Sequence, residues 1–134
     1  MLVSHTFVRE SWASFLESYN FKLFGTFTFR PKTSTIVTPK YAIGRFKRLM
    51  RDLDCGQWFA VAEDNPFKED VHLHALFDSN KKLSSLERSW KHGISSISHT
   101  TAKSASYCSK QLYGGSEFDF APDIKSLLDN EMMI

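Results

Sequence analysis

Two histidines one residue apart, His72 and His74, interrupt the apolar run VHLHALF from Val71 to Phe77. In an extended chain alternate side chains share a face. Both imidazoles therefore project to one side, and Val71, Leu73, Ala75 and Phe77 to the other. Paired imidazoles either hydrogen-bond and pack, or ligate a metal, and a metal needs a further donor. The segment QWFAVAE, Gln57 to Glu63, reads as a neighbouring strand on which Glu63 shares a face with Phe59 and Val61. The turn that follows, DNPFKED, is short enough to bring Glu63 across from the histidines, with Glu69 and Asp70 as reserve carboxylates. Two imidazoles and a carboxylate hold a divalent ion and leave positions open for water or a phosphate oxygen. Standing on an open sheet face, His72 and His74 are expected to add little to the core.

The stretch YCSKQ, Tyr107 to Gln111, supplies a second kind of chemistry. On a helix Lys103, Tyr107, Lys110 and Gln111 fall on one face, while Ala105, Ser109 and Leu112 form the opposite, packing side. Tyr107 thus belongs to a polar, basic stripe, where a phenol is a candidate nucleophile. Tyr113 lies off that face and reads as structural, and Cys108 as a small packing residue.

These groups need a scaffold. KLFGTFTFR, Lys22 to Arg30, alternates and is rich in aromatics and threonine, a strand with Leu23, Gly25, Phe27 and Phe29 on one face and Phe24, Thr26, Thr28 and Arg30 on the other. KYAIGRFKRLMRDLD places Ala42, Ile43, Phe46, Leu49, Met50 and Leu53 at helical spacing. Arg45, Lys47, Arg48 and Arg51 back it, most simply as an ordinary solvated face and otherwise as a surface that could hold phosphates. SSLERSWKHG opens with a Ser84/Glu87 capping box and closes at Gly93, a short helix. ISSIS reads as a fourth strand, TAKSASYCSKQLYGG as a helix ended by its glycines, and DIKSLLDNEMMI as a terminal helix. The order β-α-β-β-α-β predicts an α+β, ferredoxin-like (RRM-like) split βαβ fold with a central antiparallel sheet and an extra C-terminal helix carrying Tyr107. In it the first and third strands are the central pair, two crossover helices cover one face, and the other face is left for function.

A chain of 134 residues, 42% hydrophobic and 14% aromatic, is expected to form one domain with a single core. We divide residues 1–134 into an N-terminal helix over 4–19, a core over about 21–114 and a tail over 115–134. The helix carries a stripe of Val8, Trp12, Phe15, Leu16 and Tyr19 broken by charges, unlike a secretory signal. Two cysteines are too few for a disulfide framework and suit a reducing cytoplasm, and no run reaches membrane-spanning length. A net charge of +2 permits a nucleic-acid partner without demanding one.

FGTFTF, then HLH, then Tyr-x-x-Lys, in that order and over roughly Lys22 to Gly114, resembles the three motifs of HUH-type single-tyrosine endonucleases, the rolling-circle replication initiators. The resemblance implies that His72, His74 and Glu63 hold Mn²⁺ or Mg²⁺, that Tyr107 cuts single-stranded DNA and that Lys110 assists at the metal or phosphate. It also implies transesterification, leaving a 5′-phosphotyrosine and a 3′-OH that a host polymerase extends, in a bacterial or archaeal cytoplasm. The DNA would be single-stranded or the loop of an origin hairpin. Phe24, Thr26, Thr28, Arg30, Lys32, Lys103 and Gln111 would contact it, with stacking and phosphate contacts as the means. There is no Walker motif, so unwinding would fall to a separate helicase. Two other readings stay open. Gln111, four residues after Tyr107, matches the glutamine of single-tyrosine transposases of small insertion sequences, and a non-catalytic nucleic-acid-binding module would need no nucleophile at all.

Overall fold

The computed structural model describes residues 5–30, 37–65, 70–109 and 117–120. Lys32, Glu69, Lys110, Gln111, Leu112, Tyr113 and the expected terminal helix lie outside these residues. The elements in chain order are α1 (His5–Ser18), β1 (Leu23–Phe27), α2 (Pro39–Asp52), β2 (Trp58–Asn65), β3 (Asp70–Phe77), α3 (Leu83–Ser89), β4 (Ser95–His99), α4 (Ser104–Ser109) and β5 (Glu117–Phe120). The protein is α+β: among the described residues, four helices and a five-stranded antiparallel sheet of order β4-β1-β3-β2-β5. β1 and β3 lie side by side inside the sheet, as the sequence order predicts, with Gly25 opposite Ala75 and Thr26 opposite His74.

Alternation along the strands divides the core in two. Leu23 and Phe27 of β1, Trp58, Ala60 and Ala62 of β2, and Val71, Leu73, Ala75 and Phe77 of β3 face the apolar sides of α2 and α3. α2 starts where Thr38 accepts the Tyr41 N–H at 3.1 Å and Pro39 occupies the first turn. It then turns Ala42, Ile43, Phe46, Leu49 and Met50 inward. α3 departs from expectation. Its N-cap is Lys82, not a Ser84 capping box, and no side chain caps it. The Glu87 carboxylate instead accepts the Ile97 N–H at 3.2 Å, and its carbonyl accepts the Ser95 hydroxyl. A tertiary bond between α3 and β4 has displaced the local cap.

The second face is not left open. Leu16 of α1, Phe21, and Ala105 and Cys108 of α4 pack on Phe59, Val61 and Leu76, with Trp12, Phe15, Tyr19, Phe24 and Phe120 at the margin. An amphipathic helix must cover something, and the aromatic stripe of α1 covers the β2 side of this face. β5, which falls in the segment expected to be a tail, pairs with β2 so that Phe120 lies opposite Phe59 and Phe118 opposite Val61. Asp119 points the other way and meets Lys47 of α2 at 3.0 Å. No described helix is long and apolar enough to cross a membrane.

Candidate functional site

Five residues from four elements meet where α4 crosses the sheet. The register sets Glu63 directly opposite His72 and Val61 opposite His74. From its diagonal position Glu63 reaches the second histidine, with Oε2 3.1 Å from His74 Nε2. On the other side Thr26, opposite His74 in the β1–β3 ladder, holds Oγ1 3.4 Å from His74 Nδ1. Phe24 lies nearly parallel to the imidazole, with centroids 6.5 Å apart and planes within 9°. Tyr107 meets His74 edge to face at 5.0 Å and Phe24 likewise at 5.7 Å. Tyr107 is nevertheless 43% exposed. One side of its ring is thus held by the site and the other is open to a ligand.

The expectation that both histidines stand on an exposed face holds for neither in full. His74 is buried, at 2% exposure, and His72 is half-buried. Phe24 and Tyr107 close over His74 because α4 brings the phenol down onto the sheet. Burial pushes the His74 pKa below its ordinary 6.5, against the hydrogen bond and charge of Glu63. A neutral imidazole is the form that donates a lone pair to a metal. A carboxylate only accepts, so the proton of that neutral ring sits on Nε2 toward Glu63, and the lone pair on Nδ1 faces the Thr26 hydroxyl. For Glu63 and His74 to share a cation the proton must move to Nδ1, where Thr26 is placed to accept it. That is the support a metal-bound histidine draws from its neighbours. Among the described residues no three His, Cys, Asp or Glu side chains stand as a ready cluster for a metal.

The remaining expected contacts are spread more widely. α4 packs through Ser104, Ala105, Cys108 and Ser109, leaving Tyr107 outward, which is the orientation the helical spacing predicts. Cys108 is fully buried and burial alone raises its thiol to about 12, which suits packing and not nucleophilic attack. Lys103 is exposed and stands one residue before α4, its carbonyl accepting the Tyr107 N–H at 2.9 Å. It therefore occupies the cap, not the helix face. Thr28 is committed elsewhere: Oγ1 donates to the Ile94 carbonyl at 3.0 Å and accepts the Ile94 N–H at 3.1 Å, fastening β1 to the start of β4. Gly93 permits this approach, since a Cβ there would collide with the Thr28 carbonyl. Arg30 is exposed at the end of β1. Phe24 and Thr26 line His74 itself, so their role is to frame the imidazole more than to meet DNA directly. The sequence carried no sign that Ile94, on the site face opposite Thr28, would be left 72% exposed.

No family model, curated protein or solved structure matches the chain.

Proposed function

We propose that the protein is an HUH-type single-tyrosine endonuclease on a ferredoxin-like fold, which nicks and rejoins single-stranded DNA. The observation that carries this reading is the placement of Tyr107: a half-exposed phenol lying against the buried His74, which is bonded in turn to Glu63. These residues are far apart in sequence, and they are the ones whose types and spacing carry the resemblance. The strand order β4-β1-β3-β2, with β5 added at one edge, agrees with a split βαβ scaffold.

Glu63, His72 and His74 are the residues that would hold Mn²⁺ or Mg²⁺. Two imidazoles and a carboxylate suit such an ion, and the three occupy adjacent cross-strand positions. When bound, the cation supplies Lewis acidity at a phosphate oxygen. The chain's own part is positioning. Phe24 and Tyr107 exclude water from one side of His74, and Thr26 sets its ring. The Tyr107 oxygen attacks phosphorus and its proton passes to solvent or a neighbouring base. The bond from phosphorus to the 3′ oxygen breaks, and that oxygen leaves as a 3′-OH. One diester replaces another, so no nucleotide hydrolysis is needed and the step reverses to join strands. Lys110, three residues beyond Tyr107, fits the role of easing charge at the phosphate, worth on the order of 10²-fold.

A second reading, a nucleic-acid-binding module without catalysis, draws its support from the lack of a ready three-donor cluster among the described residues. One experiment separates the two. The protein is incubated with Mn²⁺ and a pool of single-stranded oligonucleotides and resolved on a denaturing gel. The nicking reading expects a slower covalent band, a peptide containing Tyr107 that carries a 5′-phosphorylated nucleotide, and no such band from Tyr107→Phe. Binding without any adduct, or an adduct on Tyr113, overturns it.

A further inference from the structure

On the far side of the sheet from Tyr107, the outward surface of α2 has an unusual composition. Five of the chain's 17 Lys and Arg, namely Lys40, Arg45, Lys47, Arg48 and Arg51, fall within its 14 residues, against one carboxylate, Asp52. At 100° per residue Lys40, Lys47 and Arg51 form a narrow stripe opposite the buried side, with Arg48 along its border. Among the described residues Lys47 is held by Asp119, whereas Lys40, Arg48 and Arg51 are exposed and meet no carboxylate. Arg45 lies over the Tyr41 ring, 4.9 Å from its centroid, which fixes a cation beside an exposed aromatic edge.

In the centre of this stripe sits Gly44. A glycine inside a helix weakens it relative to alanine, because it loses more backbone freedom on folding. Such a cost is commonly offset by close packing or by a positive φ. Neither applies here: a Cβ at Gly44 would meet nothing within 4 Å, and the residue has no positive φ. The fold itself gives no reason for the bare backbone, and the surrounding charges suggest one from outside. A basic stripe roughly 16 Å long, flat in the middle and raised at both ends, matches a phosphodiester backbone laid along it. The first turn of α2 also lies near the end of β1, through the Phe29–Tyr41 contact at 6.3 Å. Phe27 at that end pairs with Leu73, next to His72, so this stripe and the candidate site share one end of the sheet.

We propose that the outer face of α2 docks the sugar–phosphate backbone of duplex DNA, with Gly44 as the point of closest approach. This stands apart from the chemistry of Tyr107. It gives the duplex flank of a nicking target its own surface, on the face of the sheet that does no cutting. Charge complementarity selects the occupant, and contacts made to phosphates instead of base edges are insensitive to sequence.

The test is binding of a short blunt DNA duplex, followed by fluorescence anisotropy from about 50 to 200 mM salt. Replacing both arginines, Arg48→Gln with Arg51→Gln, is expected to lower the slope of log affinity against log salt by about two, with equal losses on unrelated sequences. Gly44→Ala separates docking from stability because its two effects oppose each other. The melting temperature rises, since alanine is the better helix former and meets no neighbour, while duplex affinity falls about tenfold as the methyl group props the backbone away. Duplex affinity unchanged in Gly44→Ala, a salt slope unchanged in the arginine variant, or binding to an acidic polypeptide in place of DNA overturns the proposal. Covalent adduct formation on a purely single-stranded oligonucleotide is measured alongside. Its absence in the wild type removes the nicking reading alone, because the duplex measurements do not depend on it.

Discussion

The two faces of one sheet are built to different rules. Towards α2 and α3 the buried residues of β1, β2 and β3 are apolar, and Phe46 sits among Phe27, Trp58 and Phe77 with ring centroids 5.3, 5.5 and 6.1 Å away. Towards α1 and α4 the same strands present Thr26, Glu63, His72 and His74 beside an apolar patch of Phe59, Val61 and Leu76. Alternate residues of β1, β2 and β3 therefore do opposite jobs: one set excludes water and the next holds polar groups at the edge of it. A polar group buried without a partner costs several kcal/mol in an apolar medium. The site face avoids this by pairing His74 with both Glu63 and Thr26, and no buried described side-chain nitrogen or oxygen lacks a hydrogen bond. The lesson is one of tolerance. The closed face should respond to volume, and the site face to protons and hydroxyls.

The largest effect belongs to the closed face. Phe46→Ala removes a fully buried ring and leaves a cavity that the rigid sheet cannot close, a loss of about 3–5 kcal/mol by urea denaturation. Tyr107→Phe, which takes one hydroxyl from a half-exposed ring, should change stability by no more than about 0.5 kcal/mol in the same assay. If the two losses come out alike, the division of labour between the faces is broken.

An intermediate effect is expected from pH, and it belongs to the site face. The folded protein holds His74 below its ordinary 6.5 chiefly through burial, with Glu63 opposing. Below that pH the unfolded chain takes up the proton first, so it binds more protons than the folded chain and stability falls as the solution is acidified. Well above 6.5 the ring is neutral in both states and this contribution is constant. The melting temperature of the EDTA-treated protein should therefore drop as the pH falls through 6.5, and His74→Gln should flatten that part of the curve. A variant as acid-sensitive as the wild type over that range would show that the site face does not carry the titration.

How much of this could be read from the residues alone follows from how local each signal is. The alternation in Lys22–Arg30 and Val71–Phe77 fixed which side chains share a face, and Thr26, Glu63 and His74 meet as a result. The length of the turn after Asn65 was enough to pair Glu63 with His72. Features that depend on a distant partner were not legible. Glu87 reads as a capping residue by spacing, but the Ile97 N–H competes for it once β4 is in place. β5 is four residues long and acquires its pairing only from the finished edge of β2. The aromatic stripe of α1 announced a buried surface without saying which. It closes the Phe59 side of the site face together with α4, while Phe24 and Tyr107 bury His74 where an open face was expected.

The smallest effect expected is also the one that tests the geometry most closely. Thr26 Oγ1 and His74 Nδ1 are 3.4 Å apart, at the long end for a hydrogen bond, so Thr26→Val should lower stability by only about 0.5 kcal/mol. Its consequence for the tautomer is larger than its energy suggests. In the wild type without metal, the ring proton sits on Nε2 against Glu63, and ¹⁵N chemical shifts of His74 should report that form. If the site takes up Mg²⁺ as proposed, the proton should move to Nδ1, where the threonine oxygen would accept it. Valine offers no acceptor, so the variant should keep the Nε2–H form longer and need about 10–100-fold more cation to reach the same switch. If the valine variant changes tautomer at the wild-type cation concentration, Thr26 is a packing residue, and the polar side of the sheet is set by Glu63 and the histidines without it.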